Sequence, residues 1–77
     1  MAVTAYVLIN TSPGRAMDVA TRLRETRGVT VADAITGEYD VIARLEGEDV
    51  NAVGGIIVEA IQKIEGVFKT VTCLAVS

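Results

Sequence analysis

The sequence contains no histidine and no tryptophan, one cysteine (Cys73) and one proline (Pro13) among its 77 residues. Without histidine, the chain lacks the most common general base and the usual zinc ligand sets. One cysteine cannot form an internal disulfide, and a lone thiol is typical of a reducing compartment. We therefore expect no metal, no cofactor and a cytoplasmic location.

The remaining groups that could support catalysis fall where a structural role explains them. The acidic residues at 38, 40, 46, 48 and 49 lie in predicted turns or helix caps, where carboxylates are common. Gly54-Gly55 lies within a helical pattern and lacks the lysine of a phosphate-binding loop. Cys73 lies in an apolar strand, where cysteine behaves as a small hydrophobe. These patterns predict that the chain is not an enzyme.

Charge and hydropathy also narrow the range of partners. The net charge is −3, with acidic and basic residues interspersed, whereas nucleic-acid binding usually needs a basic face. Four arginines on the first predicted helix are interpreted as a solvated face: Arg15, Arg22, Arg24 and Arg27. No apolar run approaches the roughly 20 residues that span a bilayer, and no signal-peptide pattern is present. We expect neither direct nucleic-acid binding nor a membrane association.

The hydrophobic pattern predicts four strands and two helices. Strands are predicted over residues 2–10, 29–36, 40–46 and 67–76. The first helix is predicted to begin with Ser12 as N-cap and Pro13 at its first position, and to end before Gly28. The second helix is predicted over 50–64 and is capped by the segment Gly47-Glu48-Asp49, which places acidic residues at the positive end of the helix dipole. The order βαββαβ predicts an α+β, ferredoxin-like two-layer sandwich with a four-stranded antiparallel sheet, of the dimeric α/β-barrel type.

One face of this sheet is expected to lack a cover. Both helices should pack on the same face, yet residues 7–9, 41–43 and 73–76 are consecutive apolar runs that point to both faces. A large exposed apolar patch is rare in a soluble monomer. We expect a face-to-face dimer that buries a conventional ~800 Å² on each partner. Apolar residues 56–58 of the second helix suggest a further interface.

Two motifs carry a resemblance to a known family. The turn Thr36-Gly37-Glu38-Tyr39-Asp40 is followed by a late strand that reads Gly66-Val67, then Thr70 and Thr72. Together they resemble the ligand-binding domain of the Lrp/AsnC family, called RAM, and the resemblance covers essentially the whole chain. Full-length members carry a helix-turn-helix domain in front. Because the first strand is predicted to start at residue 2, we expect a single RAM domain over 1–77 without a helix-turn-helix domain.

The resemblance implies a function and a site. RAM domains dimerise through their sheets, assemble into octamers or decamers, and bind free amino acids between dimers as effectors of transcriptional regulation. Asp40 would hold the ammonium group, backbone N–H groups around Gly37 the carboxylate, and apolar neighbours the side chain. Matching ligand-binding positions are Gly37, Tyr39, Asp40, Thr70 and Thr72, with further effector-response positions at Ala34 and Leu74 and at Val50, Cys73 and Ala75.

Other interpretations stay open at this point. Each of these residues could serve only as a turn former, a β-former or a packing residue. An ACT domain, which also binds amino acids and is also βαββαβ, would place its ligand near the loop around Gly14. A pure interaction module would bind no small molecule and would hetero-oligomerise with full-length Lrp/AsnC regulators. The sequence does not distinguish which amino acid binds, what the ring size is, or which genes respond.

Overall fold

The computed structural model describes residues 2–77 and has the predicted order of elements, βαββαβ. The strands are β1 (Val3–Thr11), β2 (Val29–Ala34), β3 (Val41–Gly47) and β4 (Val67–Leu74). The helices are α1 (Ala16–Arg24) and α2 (Val50–Glu59), and a short 3₁₀ turn, Ile61–Lys63, follows α2. The fold is the predicted ferredoxin-like sandwich, with one four-stranded antiparallel sheet and two helices.

The strand order in the sheet is β2-β3-β1-β4, so β2 and β4 are its free edges. The register aligns one row across all four strands: Ala34 pairs with Val41, Val41 with Ile9, and Ile9 with Thr70. The turn between β2 and β3 lies at the same end of the sheet as the end of β1 and the start of β4. This end therefore holds most of the predicted site.

The core lies between the sheet and the helices. Alternate residues of the two central strands are fully buried on the helix side, because side chains alternate between faces along a strand. The helices contribute residues at helical spacing, and Ile61 of the 3₁₀ turn completes the layer. The buried residues are Ala5, Val7, Ile9, Val41, Ala43 and Leu45 from the central strands, Ala32 from β2, and Val19, Ala20, Leu23, Val53, Ile57 and Ile61 from the helices.

The predicted start of the first helix is wrong. The Ser12 N–H donates to the Gly66 carbonyl at 2.8 Å, and the Arg15 N–H donates to the Ser12 carbonyl at 3.1 Å. Gly14 has φ +78°, which a helix excludes. Residues 12–15 therefore form a turn that ties the end of β1 to the start of β4, and α1 begins only at Ala16, with Arg15 as an N-cap that makes no side-chain cap bond.

Two other helix boundaries differ from prediction, and one agrees. Gly28 does not end α1, which stops at Arg24; it has φ +94° and lies against Ile56 of α2. The second helix ends at Glu59 and continues only as the 3₁₀ turn, short of the predicted residue 64. The predicted cap in the segment Gly47-Glu48-Asp49 is confirmed, and Asp49 is the N-cap residue, because its side chain accepts from the Ala52 N–H at 2.8 Å.

The second face of the sheet has no cover among residues 2–77. Tyr6 is 40% exposed there and Val31 47%, and Leu8, Ile42 and Val71 are half-buried. Cys73, which is predicted to behave as a small hydrophobe in an apolar strand, is exposed on this face opposite Tyr6. We call this surface the open face.

A polar group lies at the centre of the open face. Arg44 faces Tyr6 across the β1–β3 pair, donates to the Thr30 hydroxyl at 3.1 Å and forms an ion pair with Glu46. Contact with Tyr6 and with Glu46 raises the pKa of the Arg44 guanidinium. The open face is therefore apolar around a fixed, paired charge rather than uniformly apolar.

Glycine substitutions test the packing around α2 and β4. A Cβ at Gly55 would meet no atom within 4 Å, so Gly55→Ala should raise the free energy of unfolding by about 1 kcal/mol through better helix propensity.

Gly66 has φ +99° and a Cβ added there would lie 3.1 Å from Arg15 Cβ, so Gly66→Ala should lower the free energy of unfolding by at least about 1 kcal/mol. Urea unfolding measures both, and a destabilised Gly55→Ala would contradict the open space around α2.

Candidate functional site

The turn between β2 and β3 is closed by hydrogen bonds at its base. The Ile35 N–H donates to the Asp40 carbonyl at 2.9 Å, and the Asp40 N–H donates to the Ile9 carbonyl of β1 at 2.9 Å. Gly37 has φ +131°, a conformation that favours glycine. Since a Cβ at Gly37 would meet nothing within 4 Å, the requirement for glycine comes from the backbone conformation and not from crowding.

Two side chains then fix this turn to the end of β1. The Asp40 carboxylate accepts through Oδ2 from the Thr11 N–H at 2.8 Å, in a partly buried contact. The Asn10 amide donates to the Glu38 carbonyl at 3.0 Å. Asp40 therefore has a structural role, with β1 as its partner. Its Oδ1 accepts no hydrogen bond from any of residues 2–77, so one carboxylate oxygen remains available to a ligand.

The turn also presents free backbone donors. Within the described chain, the N–H groups of residues 36–39 donate to no backbone or side-chain acceptor. Thr36, Gly37 and Glu38 are exposed, and Tyr39 is half-buried. Successive backbone N–H groups in a turn are able to hold an anion such as a carboxylate or a phosphate when they point to one side. The turn therefore combines donors for an anion with one carboxylate oxygen for a cation.

The other predicted residues lie elsewhere on the sheet. Thr70, Thr72 and Leu74 occupy alternate positions of the edge strand β4, opposite Ile9, Val7 and Ala5 respectively. At about 4.8 Å per strand, Thr70 lies roughly 10 Å from the Asp40 end of β3. Thr72 and Leu74 recede from that end by roughly 7 and 13 Å along the strand. A single chain does not bring these three residues to the turn.

Ala34 lies on the opposite edge. It pairs with Val41 at the base of the turn, so it is close to Asp40, but it is three strand spacings, roughly 14 Å, from Thr70. Thr70 itself accepts from the Gln62 amide at 3.3 Å. The predicted residues thus form two separate groups. One group consists of the turn residues and Ala34, and the other consists of Thr70, Thr72 and Leu74 on the edge strand β4.

Sequence reasoning missed three residues at this end of the sheet. Asn10 and Thr11 hold the turn, yet they lie 28 and 29 residues from their partners, and no local pattern marks them. Phe68 lies at the irregularity opposite Asn10 and Thr11 and is 80% exposed. A bulge redirects a side chain, and this one places an aromatic ring at the turn end of the sheet.

Concave surfaces also lie away from the turn. A shallow groove of about 480 Å³ lies at the far end of the sheet, between α2 and the loop before β2, and includes Gly28, Gly55 and Ile56. Among residues 2–77, no three histidine, cysteine or acidic side chains cluster as metal ligands do. None of the helices in the described chain is long and apolar enough to cross a membrane.

Comparison with known proteins decides the family. Residues 4–77 match the Lrp/AsnC ligand binding domain. The chain belongs to this family. It is 31% identical over 75 residues to an uncharacterised HTH-type transcriptional regulator of Pyrococcus furiosus, covering 94% of this chain and 50% of that protein. The chain thus spans about half the length of the curated relatives it matches.

Solved structures give the same fold. TTHA0845 from Thermus thermophilus is 31% identical to this chain, and the two structures superpose with a TM-score of 0.91 over 97% of this chain and 94% of that one. The transcriptional regulator NMB0573 of Neisseria meningitidis, solved as an L-Met complex, has 19% identity and a TM-score of 0.85, over 97% of this chain and 50% of that one. At that identity the second likeness shows the fold alone. The predicted resemblance to the Lrp/AsnC ligand-binding domain is confirmed, and the Pyrococcus furiosus relative is described as a transcriptional regulator.

Substitutions at Asp40 test its structural role. Asp40→Ala removes the acceptor of the partly buried Thr11 N–H, which should cost about 1–3 kcal/mol of stability. Asp40→Asn keeps a carbonyl oxygen at that position and should cost less than half as much. Chemical denaturation of both variants measures the difference. Equal stability of the alanine variant and the original chain would contradict the role of this bond.

Proposed function

We propose that this Lrp/AsnC domain binds a free amino acid at the turn 36–40 and, as the effector-binding part of a regulatory assembly, modulates transcriptional regulation of amino-acid metabolism. The observation that supports the proposal is the anchored turn, which offers four free N–H groups beside the free Oδ1 of Asp40. A free amino acid is a zwitterion, so its recognition needs both kinds of group.

Each charged end of the ligand has a matching group on the turn. The ligand carboxylate is held by the N–H groups of Gly37 and its neighbours, and its ammonium donates to Asp40 Oδ1 in a charge-assisted bond. Because Oδ2 is engaged by the Thr11 N–H, the carboxylate of Asp40 is already oriented before the ligand binds. Such preorganisation reduces the entropic cost of binding.

The side chain of the ligand needs a second protein chain. Thr70, Thr72 and Leu74 lie too far from the turn of their own chain, and the turn of a single chain is an exposed surface. We propose that these residues complete the site from a neighbouring copy, between dimers formed through the open face. Octamers or decamers of such dimers would then respond to ligand. Full-length Lrp/AsnC regulators are further candidate partners.

The comparisons supply context for this proposal. The NMB0573 structure is described as an L-Met complex, which is consistent with amino-acid binding by this fold. The family match favours the RAM interpretation over the ACT alternative. A second candidate, the pure interaction module, has its own support: Tyr6, Leu8 and Ile42 lie on the open face, which no element of residues 2–77 covers, and could pack against the sheet of a related regulator.

A thermal-shift screen against the twenty amino acids at millimolar concentration tests the proposal. A ligand at 100 times its Kd should stabilise the native state by about 2.7 kcal/mol, well above detection. Asp40→Asn keeps the acceptor for Thr11 but removes the charge, so it should abolish most of the ligand-induced shift. Asp33→Asn is the matched control, because Asp33 lies on the same hairpin, exposed and paired with Arg24.

The outcomes separate the two candidates. A shift that disappears in Asp40→Asn and persists in Asp33→Asn supports the amino-acid site. A shift that both variants retain equally would contradict the assigned site. A uniformly flat screen, together with capture of a helix-turn-helix regulator by the tagged chain, would favour the interaction module.

A further inference from the structure

A groove at the opposite end of the sheet from the turn 36–40 has the composition of a small-molecule site. It has a volume of about 480 Å³ and lies between α2 and the loop that leads into β2. Arg27 and Glu59 border it. Its floor is apolar and is formed by Ala52, Gly55, Ile56 and Ala60. Ligand sites are typically concave and apolar, with a few polar groups that fix the ligand, and the groove has this pattern.

The width of the groove depends on Gly55. A Cβ at this position would meet no atom within 4 Å, so packing within residues 2–77 does not require a glycine there. Its φ is not positive either, so the backbone conformation does not require one. A glycine inside a helix weakens that helix relative to alanine. The absent side chain leaves space in the groove at the expense of helix stability.

The loop side of the groove offers donors for an anion. Residues 26–29 form a turn that is closed by the Val29 N–H, which donates to the Thr26 carbonyl at 3.1 Å. Among residues 2–77, the N–H groups of Arg27 and Gly28 donate to no acceptor, and the Arg27 guanidinium forms no hydrogen bond or ion pair. A guanidinium binds a carboxylate through charge-assisted hydrogen bonds. The loop therefore has an unused cation beside unused backbone donors.

The helix side of the groove offers an acceptor for a cation. Glu59 is the last residue of α2, is exposed, and pairs with no basic side chain of residues 2–77. The other acidic residue of the groove, Glu46, differs from it, because its carboxylate pairs with Arg44. One unpaired cation and one unpaired anion thus border the same apolar groove without contacting each other.

We propose that this groove binds a free amino acid with an aliphatic side chain, at a site separate from the turn 36–40. The ligand carboxylate bonds to Arg27, the ammonium bonds to Glu59, and the side chain packs over Gly55 and Ile56. The floor has no polar side chain to replace the water that a polar ligand side chain would lose, so an aliphatic one is favoured. Because the groove supplies its own apolar floor, the site is complete within one chain.

An NMR titration of the whole chain with L-leucine tests the proposal, because each site contains a glycine whose amide signal reports on it. The signals of Gly28 and Gly55 should shift and saturate at millimolar L-leucine. They should do so equally in Asp40→Asn, which alters only the turn, whereas the signal of Gly37 reports on the turn. The groove and the turn are thus tested separately, and the failure of one leaves the result for the other unchanged.

Substitutions in the groove identify the groups that bind. Gly55→Leu fills the space above the floor, so it should stay folded by circular dichroism and lose the response of Gly28. Gly54→Leu is the matched control, because a Cβ at the neighbouring Gly54 also meets no atom within 4 Å and Gly54 does not line the groove. Persistence of the Gly28 response in folded Gly55→Leu overturns the proposal.

Removal of either charge should weaken binding. Arg27→Gln and Glu59→Gln should each raise the Kd for L-leucine by about tenfold or more. Arg22→Gln and Glu48→Gln are controls with the same changes of charge outside the groove, and they should leave the Kd unchanged.

Two analogues of L-leucine test the two charges from the ligand side. 4-Methylpentanoate lacks the ammonium and isopentylamine lacks the carboxylate, so each should bind at least about tenfold more weakly than L-leucine. Equal binding of either analogue overturns the assignment of an amino acid. A response of Gly28 and Gly55 that stays linear with concentration, or a response of Gly37 alone, overturns the groove as a site.

Discussion

One face of a four-stranded sheet is buried beneath only two short helices, and the rest of the molecule depends on this arrangement. The central strands supply small and medium apolar side chains, Ala5, Val7 and Ile9 among them, and α1 and α2 lie across them. Among residues 2–77, no helix or strand covers the other face. A chain of 77 residues buries only a modest fraction of its surface, so stability from assembly is physically expected. The open face and the free edge of β4 are the surfaces that this arrangement leaves.

The end of β1 links the fold to the candidate site. Three consecutive residues of that strand each bond to a different part of the turn or its base: Ile9 through its carbonyl, Asn10 through its amide, and Thr11 through its N–H. The next residue, Ser12, bonds to Gly66 just before β4. The end of β1 therefore holds the turn and the start of β4 together at one end of the sheet.

The fold could be predicted from the sequence because its periodicity is strong. Alternating apolar residues and glycines that punctuate the chain gave the correct element order. The errors have a common physical cause. Ser12 and Pro13 are residues typical of a helix start, but the Ser12 N–H donates to the carbonyl of Gly66, more than fifty residues away. Residues 12–15 therefore form a turn, and the helix begins after it. Gly28 is predicted to end α1, but α1 stops at Arg24, and Gly28 adopts its positive φ in the turn that follows, packed on Ile56.

The candidate site was only partly accessible from sequence. The resemblance supplied Gly37 and Asp40, and the backbone shows why each is chemically suited to the turn. It did not reveal that one oxygen of Asp40 is committed to Thr11, or that Thr70 and Leu74 lie on the far edge, because both facts depend on strand order. Cys73 lies in an apolar run and is predicted to behave as a small hydrophobe, yet β4 is an edge strand, and Cys73 is exposed there.

Amide hydrogen exchange, with and without a millimolar mixture of the twenty amino acids, tests the central claim most directly. The free N–H groups of residues 36–39 should exchange rapidly in the unliganded protein and slow markedly when a ligand carboxylate occupies them. Slowed exchange at the turn, absent from the α1 surface, is the result that this account predicts. A stabilising amino acid that leaves exchange at 36–39 unchanged would contradict it.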